Sequence, residues 1–257
     1  MKLLHSKILG NGQPLLILHG LFGMGDNWIT LGRKYAESRF EVHLIDQRNH
    51  GKSFHCNEMN YEVMLEDLDY YINHYQLKNI VLMGHSMGGK TAMHYVMKYP
   101  EKIKKLVIVD ISPVKYPPHH FHIFDAFNQI DLAKYHNRKE IAIKLESIIN
   151  IKAISNFILK NLFHNNKGKY SWKANIEVLK NAQDKLGEAL QSQKNFDKPT
   201  LFIKGEMSPY IQDTHFSTIN THFSQNQLIT IKNSGHWVHA EQTQEFYKKT
   251  LSFFNKP

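Results

Sequence analysis

Gly84-His85-Ser86-Met87-Gly88 is the stretch that decides the reading of this chain. It follows an apolar run at residues 80–83 (IVLM) and precedes a helical pattern over 88–99 that Pro100 stops. Strand, tight turn and helix form the setting in which G-x-S-x-G sets a serine hydroxyl at a helix N-terminus, where developing negative charge is favoured. The turn needs small flanking residues, and Gly84, Gly88 and Gly89 supply them. Ser86 is therefore the candidate nucleophile. The rival reading is an ordinary glycine-rich turn with an incidental serine.

Outward from that turn the pattern repeats. Residues 14–18 (PLLIL), 42–45 (VHLI), 106–109 (LVIV), 200–203 (TLFI) and 228–231 (LITI) also read as strands. Several are apolar on consecutive positions, as expected of parallel strands covered on both faces. Amphipathic stretches at 61–75, 88–99 and 241–254 read as helices. Alternation of the two predicts an α/β protein with a mostly parallel central sheet and helices on both faces. From about residue 114 to 198 there is helical spacing, best at 141–151 and 154–163, and no clear strand. This predicts a helical cap (lid) insertion over 114–198, opened by Pro113, Pro117 and Pro118, with a core made of 1–113 and 199–257.

A serine hydroxyl is a weak nucleophile until a base takes its proton. His236, in Asn233-Ser234-Gly235-His236-Trp237 just after the last strand, is the candidate base; Gly235 gives its loop freedom to turn. His239 is its rival among 17 histidines. The acid that orients the base is expected at the carboxyl end of a strand, where sites assemble in open α/β sheets. Asp110 ends the strand after the elbow and is preferred; Glu206 in Gly205-Glu206-Met207-Ser208-Pro209 is the alternative. Two backbone N–H groups should form an oxyanion hole. Met87 follows the nucleophile, and Leu21 lies in His19-Gly20-Leu21-Phe22-Gly23, with Phe22 as alternative.

Composition narrows the class. The chain has 257 residues, within the range of one large domain, with 42% hydrophobic and 21% charged residues. One cysteine, Cys56, cannot form an internal disulfide. No signal-peptide pattern opens the chain, and no stretch reaches the roughly 18 apolar residues of a membrane span, so a soluble, cytoplasmic protein is expected. The net charge is +9, and six of those nine charges fall within 114–198. No nucleic-acid motif accompanies them, which favours a lysine-coated surface over a nucleic-acid partner. His119, His120 and His122 crowd together but lack a carboxylate or cysteine at ligand spacing, so no metal is expected. Phe121, Phe124, Phe127 and Trp172 read either as an acyl pocket or as the insertion's own core. Asp46 and Arg48 read as a pair bracing the loop beside the site.

These motifs, with Asp46-Gln47-Arg48-Asn49-His50-Gly51-Lys52-Ser53, Asp110-Ile111-Ser112-Pro113-Val114 and Gly235-His236-Trp237-Val238-His239-Ala240-Glu241, resemble the α/β-hydrolase superfamily, and most closely the YbfF-type bacterial esterases. The likeness covers nearly the whole chain and is weakest in the insertion. It implies the α/β-hydrolase fold, with the acid on Asp110 and Ser208 standing where many relatives carry an aspartate. It also implies hydrolysis of short- to medium-chain acyl esters without a cofactor. Acyl-CoA thioesters are the enzymatic alternative, and a non-turnover ligand sensor on the same fold is the alternative of another class. Acyl-chain length and oligomeric state are left open.

Overall fold

In the computed structural model, which describes residues 2–256, nine strands and eleven α-helices alternate. The chain runs β1 (Ser6–Leu9), β2 (Gln13–Leu18), α1 (Ile29–Glu37), β3 (Phe40–Ile45), α2 (Tyr61–His74), β4 (Ile80–His85), α3 (Met87–Lys98) and β5 (Ile103–Val109). There follow α4 (Phe121–Gln129), α5 (Arg138–Ile149), α6 (Lys152–Leu159), β6 (Leu162–His164), β7 (Tyr170–Trp172), α7 (Ile176–Asn181) and α8 (Gln183–Gly187). The chain closes with β8 (Thr200–Gly205), α9 (Phe216–His222), β9 (Asn226–Ile231), α10 (Val238–Glu241) and α11 (Thr243–Phe254).

Seven strands form one sheet in the order β1-β3-β2-β4-β5-β8-β9. β1 pairs antiparallel to β3, and every other neighbour is parallel. This is the α/β-hydrolase fold. Consecutive apolar residues in the inner strands serve two different faces, because side chains alternate along a strand. Leu16, Leu18, Leu82, Leu106 and Ile108 pack on one side with Leu65 and Leu68 of α2 and Ala92 and Val96 of α3. Leu15, Ile17, Val81, Met83, Val107 and Val109 pack on the other with Leu31 of α1 and Phe246 and Phe253 of α11. Each such buried aliphatic side chain contributes about 1.5–3 kcal/mol relative to exposure.

Between β5 and β8 the chain adds no strand to the large sheet. It holds α4 to α8 and one feature the spacing did not suggest, an antiparallel hairpin of β6 and β7. Phe124 and Phe127 of α4 are buried against Phe22, and Trp172 meets Phe127 edge-on at 4.9 Å. These aromatics thus form the core beneath the segment rather than an acyl pocket, while Phe121 is exposed. One flank of the segment is bonded to the loop after β3. Asn175 N donates to Asn49 O at 2.9 Å, and His55 Nε2 bonds Lys173 O at 2.9 Å. Lys90 of α3 spans both ends of the segment, its Nζ donating to Val114 O and Glu188 O, each at 2.6 Å.

Asp46 and Arg48 do not pair. Arg48 donates to Asp67 of α2 through Nε at 2.5 Å and Nη2 at 2.9 Å. Asp46 accepts from Gly25 N at 2.6 Å and Lys52 N at 2.8 Å, closing its own loop across backbone amides. The guanidinium fork matches a carboxylate bidentately, and the nearby Asp67 offers that geometry. No helix among the described residues is long and apolar enough to cross a membrane.

Candidate active site

Parallel register brings the carboxyl ends of β2, β4, β5 and β8 to one edge of the sheet. Leu18 stands beside Gly84, His85 beside Val109, and Val109 beside Ile203. Ser86 directly follows β4 and Asp110 directly follows β5. Their amides extend the ladder, with Ser86 N donating to Val109 O at 3.0 Å and Asp110 N to Ile203 O at 2.8 Å. Both residues, together with Phe22, hold a left-handed backbone, with φ of 52°, 51° and 60°. Such conformations are strained for residues with a Cβ and persist where surrounding bonds fix them. Ser86 stands at the N-cap of α3, in a turn so tight that a Cβ on Gly84 would lie 2.2 Å from Gly88 O.

His236 lies on the loop after β9. Its Nδ1–H donates to Asp110 Oδ2 at 2.7 Å. Asp110 is wholly buried and also accepts from Gly205 N at 3.0 Å and from Ser208 Oγ. Glu206, the other candidate acid, is exposed and accepts from Asn233 N at 2.9 Å, away from the imidazole. His239 is buried flat against Trp28, with ring centroids 3.9 Å apart. Burial pushes its imidazole down to about 3, so it stays neutral. Ser86 Oγ has no hydrogen-bond partner among the described residues.

The histidine loop is braced at several points. Glu241 accepts from Gly235 N at 2.7 Å and Trp237 N at 3.2 Å. His85 Nε2–H donates to His236 O at 2.9 Å, so the residue before Ser86 steadies the backbone of His236. Tyr210 stacks on the His236 ring at 4.1 Å. The turn owes nothing to a special conformation at Gly235. Asn233 takes the left-handed position, at φ 52°, and a Cβ on Gly235 would meet only ordinary contacts.

The loop after β2 carries the amides expected to face an oxyanion. Gly23 N donates to Gly20 O at 2.9 Å, closing a turn over Leu21 and Phe22. His19 Nδ1–H also donates to Gly20 O, at 2.8 Å. In a trans peptide the N–H points opposite to the C=O, so fixing Gly20 O fixes the direction of Leu21 N. Leu21 N has no hydrogen-bond partner among the described residues, whereas Phe22 N donates to His50 Nε2 at 3.2 Å. Met87 N opens α3, in the first turn, where amides lack intrahelical acceptors. Burial pushes His19 down to about 4 and His50 to about 3, which keeps both neutral with an acceptor nitrogen for Gln47 N and Phe22 N.

A cleft beside Ser86 and Met87 is walled by Leu21, Ile111, Tyr116, Pro118, Leu186 and Tyr210, a largely apolar set. His119 edges it, with Nδ1–H donating to Pro117 O and Nε2 facing Tyr210 OH. No three His, Cys, Asp or Glu side chains among the described residues are grouped to hold a metal. Two contributors were not foreseen from sequence. Ser208 was noted only as a departure from aspartate, and its bond to Asp110 needs the fold to appear. Tyr210 stands in Ser208-Pro209-Tyr210, a stretch that shares in the family resemblance but carries no sign of a ring stacked on His236.

Residues 13–243 match the family described as the alpha/beta hydrolase fold. The chain is 36% identical over 246 residues to the sn-1-specific diacylglycerol lipase ABHD11 of Mus musculus, covering 93% of this chain and 80% of the relative. It is 32% identical over 248 residues to the esterase YbfF of Escherichia coli (strain K12), covering 95% of this chain and 94% of the relative. A solved structure of a marine microorganism esterase superposes with a TM-score of 0.95 at 40% identity, covering 98% of this chain and all of the other.

Proposed function

The chain belongs to the alpha/beta hydrolase family, and from that premise we propose that it is a serine carboxylesterase acting on short- to medium-chain acyl esters through Ser86, His236 and Asp110. The observation that carries this reading is the 2.7 Å bond from His236 Nδ1 to the buried Asp110, on the same sheet edge as the strained Ser86. That bond leaves Nε2 as the basic nitrogen of the ring.

Ser86 Oγ attacks the ester carbonyl while His236 Nε2 takes its proton. The hydroxyl first turns toward the imidazole, a tightening common when substrate binds. The oxyanion is met by Leu21 N and Met87 N. The C–O bond to the alcohol breaks, and His236 returns the proton to the departing oxygen. Water then attacks the acyl-enzyme, giving its proton to His236, and the acid leaves as Ser86 recovers its proton. The balance is one ester and one water to one acid and one alcohol. Residues 114–198 act as a cap: Pro117, Pro118 and Leu186 close one side of the cleft and exclude water.

Ser86→Ala is expected to fold and to lose at least about a thousandfold in turnover of a p-nitrophenyl ester. A purified variant retaining most of that activity refutes the assignment. The second reading is an acyl-CoA thioesterase, favoured by the six net positive charges in 114–198. Comparing kcat/KM for butyryl-CoA and p-nitrophenyl butyrate at low and high salt separates the two. A thioesterase guided by those lysines loses the CoA advantage as salt rises. A sensor that keeps the fold without turnover would be labelled once by a fluorophosphonate and release no product repeatedly.

A further inference from the structure

The turn that presents Leu21 N is held from outside the core. Phe22 occupies its left-handed position, which a residue with a Cβ enters at a cost. Both backbone polar groups of Phe22 are tied. Its N–H goes to His50, as described, and its C=O accepts from Asn161 Nδ2 at 2.8 Å. Asn161 sits between α6 and β6, 139 residues further along the chain. It is fully buried, and its own backbone is engaged, with N donating to Ile158 O and O accepting from Lys173 N. Its Oδ1 has no hydrogen-bond partner among the described residues.

That unpaired acceptor is informative. A buried amide with half its polar capacity unused is worse for stability than an apolar side chain of similar size. The half that is used reaches one atom only, Phe22 O. We propose that Asn161 is a positioning residue for ester hydrolysis, fixing from the 114–198 segment the strained turn whose Leu21 amide receives the oxyanion. This rests on the reading of Leu21 N and Met87 N as oxyanion donors. Without Asn161, Phe22 relaxes toward a less strained backbone, and the peptides on either side rotate with it. Preorganised donors lose effect steeply with small displacements. The loss falls on the transition state, because a ground-state carbonyl carries little negative charge to be held.

The test uses Asn161→Leu, which keeps the branched shape and removes both donor and orphan acceptor, and Asn161→Ala in parallel. The substrate is p-nitrophenyl butyrate, and the probe is butylboronic acid. Boron accepts the Ser86 oxygen while the hydroxyl proton passes to His236 Nε2, forming a tetrahedral anion resembling the intermediate, with no net oxidation. Expected are a fall in kcat of about ten- to a hundredfold, KM within about twofold, and a boronate inhibition constant raised by the same factor as kcat falls. A merely structural role would not tie those two factors together. The proposal is overturned if either folded variant keeps kcat within twofold, or loses kcat with boronate affinity unchanged. It is also overturned if neither variant folds, since Asn161 would then be a folding determinant. Wild-type protein that neither turns over the ester nor binds boronate refutes the esterase reading itself; an active wild type with indifferent variants refutes only the role of Asn161.

Discussion

Asp110 Oδ2 accepts from His236 Nδ1 at 2.7 Å while the carboxylate itself is sealed from solvent. The consequence is a single tautomer for the imidazole. Asp110→Asn presents a neutral amide to Nδ1 and permits the wrong tautomer, so kcat should drop by roughly 10⁴. Glu206→Gln should change kcat by less than twofold, because Glu206 serves Asn233 N alone. Steady-state kinetics on one chromogenic ester compares the two. If Glu206→Gln proves the more damaging, the acid has been misassigned.

Ser208 should act through Asp110. Its hydroxyl shares Oδ2 with the imidazole, so Ser208→Ala leaves the carboxylate freer to rotate. A kcat loss of about tenfold is expected, near the lower end for a mispositioned catalytic group. Combined with Asp110→Asn, the second substitution should add little, since the two act on one function. Full additivity in the double variant would show Ser208 working elsewhere.

Arg48 and Asp67 form a buried bidentate pair, each under a tenth exposed. Burial raises the Asp67 carboxyl and the guanidinium opposes that rise. Arg48→Met strands a carboxylate in the interior, which costs about 3–5 kcal/mol when one partner is removed. Urea unfolding at neutral pH measures this. Restoring much of the loss with Asp67→Leu in the Arg48→Met background is the accompanying expectation, and no restoration would argue that Arg48 acts through Glu58 O instead.

Acid should unfold the protein through its buried histidines. His19 and His94 are pushed down to about 4, and His50 and His239 to about 3, each chiefly by burial. An unfolded chain protonates these rings near 6.5, whereas the folded one resists. Below about pH 6.5 the unfolded state therefore binds more protons, and stability falls as pH drops toward 4. Each ring contributes up to about 1.4 kcal/mol per pH unit. Unfolding free energies at pH 7, 6, 5 and 4.5 test the slope; a flat profile would contradict the burial of these rings.

Lys90 works in the same direction, in a higher pH window. Burial depresses its ammonium to about 7 from an ordinary 10.5, while Glu188 partly offsets the shift. The unfolded chain holds the extra proton between those values, so the contribution of Lys90 to stability rises with pH across that window. The unfolding free energy of wild type relative to Lys90→Met should therefore rise from pH 7 to 9.5, by about 1 kcal/mol per unit. A difference independent of pH would mean that the ammonium is fully protonated in the folded protein.

The sheet was legible because several of its inner strands carry runs of consecutive apolar residues, a pattern expected of burial on both faces. β1 was missed for the opposite reason: Ser6, Lys7 and Ile8 lie at an edge, partly exposed, and carry no such signal. α1 was passed over because its apolar face is short, interrupted by Gly32 and Arg33. The elbow could be read from spacing alone, since Gly84, Ser86 and Gly88 are local. Contacts between distant segments could not. Arg48 finds Asp67 rather than Asp46, Ser208 finds Asp110, and Asn161 finds Phe22, because those pairings exist only after strands are placed in register. The histidine at 236 was favoured for its glycine neighbour, yet the turn there is made by Asn233.

Phe22, Ser86 and Asp110 share a positive φ, which glycine would adopt with less strain. Relief of that strain does not make glycine stabilising there: at Phe22 it would remove a buried ring packed on Phe124 and Phe127, and at Asp110 it would leave Gly205 N, Ser208 Oγ and His236 Nδ1 without their acceptor. Engineering for robustness should thus spare these positions and look to α1, α5 and α11, where side chains can be improved without touching chemistry.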